Sequence, residues 1–387
     1  MYKIQKLNQI AASGIEKFDP SLYDIAESCT DPEGILVRSK KITPEDLGKN
    51  LMAIARAGAG VNNIPVHECS KRGIPVFNTP GANANAVKEL VLAGLILGSR
   101  GVIPGIEYVK SLKSDDKDFN ELIEKEKKRF KGQEIAGKTL GVVGLGAIGS
   151  LVAEMGLMLG MRVLGHDPKI SIDAAWKLSS RVEKKESIEA LFAESDYVSL
   201  HLPVLDSTRG VINSKALEAF RHGACLLNFA RHELVDQEAI IQNLLSGRLK
   251  HYVTDFPTPT LLDVKGTIAI PHLGASTIEA EENCAKMAVS QISDYLENGN
   301  IVNGVNFPNM TLPRRGAGRI AVANINVPKI LGKVLAILSE RNMNVVEMIN
   351  KSRGELAYNL IDVETPVTKD IINSIMDLDD VLMVRSI

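Results

Sequence analysis

Apolar residues recur along this chain at two periods, and the alternation between them lays out most of the molecule. Gly34 to Lys40, Leu51 to Arg56 and Ile74 to Asn78 are short apolar runs separated by helix-like segments. Such runs fit strands of a parallel sheet with helices on both faces. Thr43-Pro44-Glu45-Asp46 is a helix start, with a cap-like Thr and Pro in the first turn. Further on, Leu140 to Val143 predicts a buried strand. Ile148, Leu151, Val152, Met155 and Leu159 then recur at helical spacing, Gly160 supplies a stop, and Met161 to Leu164 predicts a second strand leading to Asp167. Strand-like runs follow at Ser195 to Pro203, Ala224 to Arg231, Tyr252 to Asp255 and Thr267 to His272, and a long helix is predicted from Ser276 to Glu297.

After residues 305–318, which carry turn formers and no period and are expected to be a linker, residues 319–387 show a different order. Arg319 to Asn326 is strand-like and Pro328 to Asn342 helical. Asn344 to Lys351 and Ala357 to Val363 are strand-like, Lys369 to Asp377 is helical, and Val381 to Ser386 is a last strand. The order βαββαβ predicts a ferredoxin-like module of small-domain size. The expected fold is α/β: parallel, doubly wound, Rossmann-like sheets followed by this ferredoxin-like domain.

Composition changes this picture little. A chain of 387 residues has room for two or three domains. A formal net charge of −2 gives no electrostatic reason to expect nucleic acid or an anionic membrane as partner. Cys29, Cys69, Cys225 and Cys284 lie far apart with no C-x-x-C pair, so neither a disulfide framework nor a metal site is expected. The amino terminus lacks a signal-like apolar core, and the longest apolar stretch, Glu89 to Leu97, suits a buried helix better than a membrane span. The expectation is a soluble, cytoplasmic protein. The charged run Glu121 to Arg129, within the segment Lys110 to Lys131, is expected to be a solvated helix laced by acid–base pairs rather than a basic patch.

The chemistry starts at Gly144-x-Gly146-x-x-Gly149. With a strand before it, a helix after it and Asp167 closing the next strand, this is the full context of a dinucleotide fingerprint. The glycines let backbone N–H groups approach a pyrophosphate at the positive end of a helix, and Asp167 is placed to accept hydrogen bonds from a ribose. The Asp167 carboxylate would repel a 2′-phosphate, which favours NAD over NADP. Arg231, Asp255 and His272 close successive strands, so polar groups gather at one edge of the sheet. Arg38, Arg56 and Asn78 do the same in the first hundred residues. A guanidinium binds a carboxylate bidentately, and an imidazole can take a hydroxyl proton near neutral pH, which together suit hydride chemistry on a 2-hydroxy acid.

Asn228-Phe229-Ala230-Arg231, Pro271-His272-Leu273-Gly274-Ala275-Ser276-Thr277, Val76-Phe77-Asn78-Thr79-Pro80-Gly81 and the glycine turn together resemble the D-isomer-specific 2-hydroxyacid dehydrogenases. The C-terminal module, with Asn324-Ile325-Asn326-Val327-Pro328 and Ala357 to Val363, is similar to the ACT regulatory domains that members of the family carry. The resemblance implies a nucleotide domain (99–275) inserted into a substrate-binding domain (1–98 and 276–304). It implies Arg231 as the substrate-orienting residue and His272 as the acid/base. Ala147, Ile148, Leu202, Ala230, Asp255 and Gly274 would line NAD together with Asp167. Arg38 and Arg56 would hold the second anionic group of a small 2-hydroxy acid. A homodimer or higher homo-oligomer is implied as well.

Three departures from the family pattern stand out. Members place a glutamate after the strand that here ends in Asp255, where it bonds to the histidine; residues 255–263 contain none, and Asp263 could substitute only if the loop folds back. His232 stands where many members have Gly. Lys329 follows Pro328 where the effector turn of ACT domains has Gly. The alternatives are a dehydrogenase of another D-2-hydroxy acid, such as glycerate, lactate or 2-hydroxyglutarate, and an NAD-sensing regulatory protein on the same fold.

Overall fold

The computed structural model describes residues 1–113 and 118–387, which fall into two compact units. One comprises residues 1–82 and 278–387, the other residues 83–277. Part of the charged segment Lys110 to Lys131, residues 114–117, lies outside the described residues.

The first unit starts with β1 (Tyr2–Leu7), β2 (Tyr23–Ala26), β3 (Gly34–Val37), β4 (Ala53–Arg56) and β5 (Val76–Phe77), all parallel in the order β2-β1-β3-β4-β5. Ile4, Leu36, Ala55 and Phe77 are fully buried with Ala285, Ala288, Val289 and Ile292 of the helix Ile278–Asn298, so the period-2 and period-3.6 faces meet in one core. A Cβ on Gly14 would lie 2.5 Å from that of Ala285, so the short helix Ala12–Ile15 can seat against the long one only with hydrogen at that position.

In the second unit β6 (Thr139–Val143), β7 (Arg162–His166), β8 (Glu183–Lys184), β9 (Tyr197–Leu200), β10 (Ala224–Asn228), β11 (Leu249–Thr254) and β12 (Thr267–Ala269) form a parallel sheet ordered β12-β11-β10-β9-β6-β7-β8. The order reverses direction between β6 and β9, the switch point at which such sheets open a crevice beyond their carboxyl ends. The unit begins earlier than the expected boundary near residue 98. Helix Ala84–Ser99 belongs to it because Gly94 and Gly98 lie against Phe229 and Cys225, and Val91 and Leu95 are fully buried in the core of this sheet. The other boundary falls at 277/278 rather than 275/276. The run Glu121 to Arg129 is a solvated helix and following turn with Lys127–Glu124 and Arg129–Glu126 pairs three residues apart. No single helix among the described residues is long and apolar enough to cross a membrane.

The C-terminal module, part of the first unit, consists of β13 (Gly318–Ile325), β14 (Val345–Arg353), β15 (Leu356–Val363) and β16 (Val381–Ser386), antiparallel in the order β14-β15-β13-β16, with helices Ile330–Glu340 and Lys369–Met376. Alternation along β13 gives each face its own partner. Ile320 and Val322 pack on the two helices, whereas Ala321 and Ala323 join the core that includes Tyr295 and Phe307. Arg319 and Asp362, both fully buried, form a bidentate pair at 2.6 and 2.8 Å, and Arg319 also donates to the Asn298 carbonyl at 2.9 Å. Burial would raise the Asp362 carboxyl, but the guanidinium and the Arg315 amide take it below its ordinary value. Deleting one partner of such a pair costs about 3–5 kcal/mol. The expected linker proves to be anchored. Phe307, Met310 and Leu312 are buried, Ile301 bridges Met310, and Asn306 binds the β5 segment through Ile74 and Val76. Lack of period here reflects side chains docked one by one, not a free spacer.

Candidate active site

The glycine turn follows β6 directly. Gly144 has φ +89°, and a Cβ there would lie 2.6 Å from the His201 carbonyl oxygen. A Cβ on Gly149 would lie 1.8 Å from the Gly144 carbonyl oxygen, so the helix Ala147–Met158 reaches the turn only with glycine at that point. Gly146 differs: nothing lies within 4 Å of where its Cβ would be. It caps the helix without any side-chain bond, which leaves the amides around Ala147 and Ile148 facing open space at a positive helix end. Asp167 follows β7 and accepts the Leu145 amide at 2.8 Å and the Lys169 amide at 2.9 Å, which fixes its carboxylate beside the turn with lone pairs to spare. An open cradle of amides at the sheet's switch point, with an oriented carboxylate beside it, fits a dinucleotide. Leu202 comes two residues after β9 and is half-buried. His201 before it meets Ser199 Oγ at 2.9 Å through Nε2, and burial pushes its pKa down to about 3, so it is neutral packing beneath the turn.

The predicted catalytic pair lies beyond the strands rather than at their last residues. β10 ends at Asn228, and the fully buried Asn228 side chain accepts the Ala230 and Arg231 amides at 3.2 and 3.3 Å and donates to the Arg231 carbonyl at 2.9 Å. The tight turn so held delivers Arg231. β12 ends at Ala269, and His272 sits three residues on with φ +56°, a left-handed conformation costly for a side chain with a Cβ. Its amide donates to the Asp255 carbonyl at 3.1 Å. The Asp255 carboxylate, buried, accepts Leu273 N–H at 2.7 Å and Gly274 N–H at 2.8 Å. Burial raises the Asp255 carboxyl against the pull of those two amides. Asp255 and Gly274, expected along the cofactor, are therefore also the clamp that holds the His272 turn.

Arg231 and His272 share a neighbour. The Phe256 ring centroid lies 4.8 Å from that of His272 and 5.9 Å from the Arg231 guanidinium carbon. His232, Asp255, Phe256, Pro257, Thr258 and His272 line a cavity of about 300 Å³. Asp263 is exposed and forms no ion pair among the described residues, so it does not supply the missing acid. His232 instead meets Glu233 at 3.1 Å. Asn228 stands in the Asn228-Phe229-Ala230-Arg231 motif, but its part in holding the turn is not written there, and Phe256 belongs to no motif although it adjoins Asp255. Among the described residues no group of three or more His, Cys, Asp or Glu could hold a metal ion.

Arg38, Arg56 and Asn78 are gathered in the first unit, at the carboxyl ends of β3, β4 and β5. Arg38 pairs with Glu281 at 2.6 Å, Arg56 Nε donates to the Arg38 carbonyl at 2.9 Å and its NH1 to the Gly60 carbonyl, and Asn78 donates to the Ala59 carbonyl at 2.6 Å. Arg56 and Asn78 thus shape the 58–60 loop in addition to any ligand role. Their clustering follows from parallel strands ending together; their engagement with backbone carbonyls is not written in the sequence.

Residues 103–274 match the NAD binding domain of the D-isomer specific 2-hydroxyacid dehydrogenases. The chain is 30% identical over 378 residues to D-3-phosphoglycerate dehydrogenase of Haemophilus influenzae, covering 94% of this chain and 88% of that protein. It is 33% identical over 349 residues to the enzyme of the same name from Methanocaldococcus jannaschii, covering 88% of this chain but only 63% of that longer relative. The crystal structure of NAD+-bound 3-phosphoglycerate dehydrogenase from Entamoeba histolytica superposes with a TM-score of 0.63 at 29% identity, over 79% of this chain and 98% of that one. The chain belongs to the D-isomer-specific 2-hydroxyacid dehydrogenases. It is an NAD-dependent dehydrogenase of that family.

Proposed function

We propose that the protein oxidises 3-phospho-D-glycerate at C2 to 3-phosphohydroxypyruvate, the reaction that opens serine synthesis. The observation that carries this reading is the meeting of an arginine and a histidine on Phe256 in a nucleotide-binding unit, joined by likeness to relatives named for this substrate. Gly144, Gly146, Ala147, Ile148, Gly149, Asp167, Leu202 and Ala230 would hold NAD, which when bound accepts the hydrogen and electron pair leaving C2. Arg231 binds the carboxylate and the C2 oxygen through its planar fork. His272 takes the C2 hydroxyl proton and returns it in the reverse direction. Arg38 and Arg56 meet the charge of the phosphate. We read the C-terminal module as ACT-like, supported by its βαββαβ order, and the protein as a homo-oligomer, supported by the family resemblance.

The test is a panel of D-2-hydroxy acids with NAD and NADP, followed by absorbance of the reduced cofactor. The expected kcat/KM for 3-phospho-D-glycerate exceeds those for D-glycerate and D-lactate by on the order of a hundredfold, since a site built for an anion rejects analogues without it, and exceeds that for D-2-hydroxyglutarate, which keeps a second carboxylate, by less. Equal rates would overturn the substrate, and no turnover with NAD still bound would overturn the reaction.

A further inference from the structure

The first unit contains a second cavity, of about 540 Å³, on the seam between its parallel sheet and the C-terminal module. Glu33 precedes β3 and Lys49 and Met52 precede β4, so the cavity opens at the amino-terminal edge of the sheet. Arg38, Arg56 and Asn78 lie at the carboxyl edge. Met383 and Arg385 of β16 form the facing wall, and Arg72 completes the rim.

The charges on these walls do not cancel. Arg72 donates to the Leu47 and Gly48 carbonyls. Arg385 donates to the Tyr295 carbonyl at 2.6 Å and lies 4.4 Å from the Tyr295 ring, while its Nε is buried without a hydrogen-bond partner. Among the described residues neither guanidinium, nor Lys49, is paired with a carboxylate. Carbonyls, including those of Tyr295 and Leu296 in the last turn of helix Ile278–Asn298, and a ring face satisfy donors and offset part of the charge, but none carries a formal negative charge. The acid on the wall is Glu33, which accepts the Lys3 amide at 2.6 Å. Three cations thus face one carboxylate, and one buried N–H lacks an acceptor.

We propose that this cavity binds a small organic dianion. One end is held by Lys49 and Arg72 from the sheet side and the other by Arg385 from the module, with Met52 and Met383 covering its carbon skeleton. A ligand that touches both walls ties the module to the sheet and stabilises the unit by mass action.

The full-length protein is titrated calorimetrically with succinate and, separately, with inorganic phosphate at fixed ionic strength. At least one dianion is expected to bind once per chain. Lys49→Met and Arg385→Met should each weaken binding about tenfold or more, as expected for losing a charged hydrogen-bond partner, and Arg231→Ala should leave it unchanged. Binding by succinate alone assigns a dicarboxylate ligand, and binding by phosphate alone a phosphate-bearing one. Protection of Lys49 from acetylation, read by mass spectrometry on the wild type, gives the same answer if Arg385→Met fails to fold. No binding of either anion, binding that survives Lys49→Met, or loss in Arg231→Ala would overturn the proposal. None of these readings needs turnover, so each stands apart from the dehydrogenase assignment.

Discussion

The turn after β6 and the turn after β12 stand at the same edge of one sheet and are held by opposite means. At Gly144 to Gly149 the backbone is fixed by lack of room: carbonyl oxygens occupy the places where two Cβ atoms would go. At His272 to Gly274 it is fixed by charge, through a buried carboxylate that collects two amides and backs a left-handed histidine. A steric constraint fails all at once when an atom is added. A polar clamp weakens by degrees and responds to the charge of its acceptor.

That contrast orders the expected effects of substitution. Gly149→Ala should raise the NAD dissociation constant about a hundredfold, the upper end of what an overpacking clash of ~3 kcal/mol produces. A variant that keeps wild-type affinity and Tm would show that the turn can give way. Asp255→Asn should lower kcat/KM by about tenfold, because an amide can accept one of the two N–H groups but sets its own N–H against the other. If Asp255→Asn keeps wild-type activity, the charge is not what holds the His272 turn. Phe256→Leu removes a ring contact worth ~0.5–1.5 kcal/mol. It should reduce kcat a few-fold and leave NAD affinity unchanged; a change in NAD affinity alone would detach Phe256 from the catalytic pair.

A last effect, read in stability rather than in activity, concerns the packing beneath the glycine turn. His201 titrates near 3 when folded against an ordinary 6.5, so its contribution to stability is fully present above pH 6.5 and is lost as pH falls from there toward 3. The stability of the wild type relative to His201→Gln should therefore drop on acidification, by at most about 1.4 kcal/mol per pH unit. A pH-independent difference in urea midpoints would show that the ring is not held neutral.

The same contrast explains which parts of the molecule were legible in the sequence. Steric necessity selects one residue type, so Gly144 and Gly149 announce the turn, and the βαββαβ order of the C-terminal module follows from periods alone. Arg231 and His272 were readable as residues but not as positions. Both lie three residues past their strands on turns set by Asn228 and Asp255, and nothing in a strand's apolar period records that. The boundary at Ala82/Asn83 was hidden because helix Ala84–Ser99 is apolar enough to suit either unit, and only contacts across many residues, such as Gly94 on Phe229, choose between them. The 305–318 connection looked free because its anchors, Phe307, Met310 and Leu312, follow no period. The absent glutamate was visible as an absence; that Phe256 lies against the histidine ring was not.

We propose that His272, on a turn held by Asp255 and with its ring against Phe256, carries the proton transfer. The direct test is steady-state oxidation of 3-phospho-D-glycerate by wild type and His272→Gln, with the NAD dissociation constant measured on the same preparations. The expected result is a fall in kcat of about 10²–10⁴-fold with NAD affinity unchanged. A His272→Gln enzyme that turns over within a few-fold of wild type would contradict it.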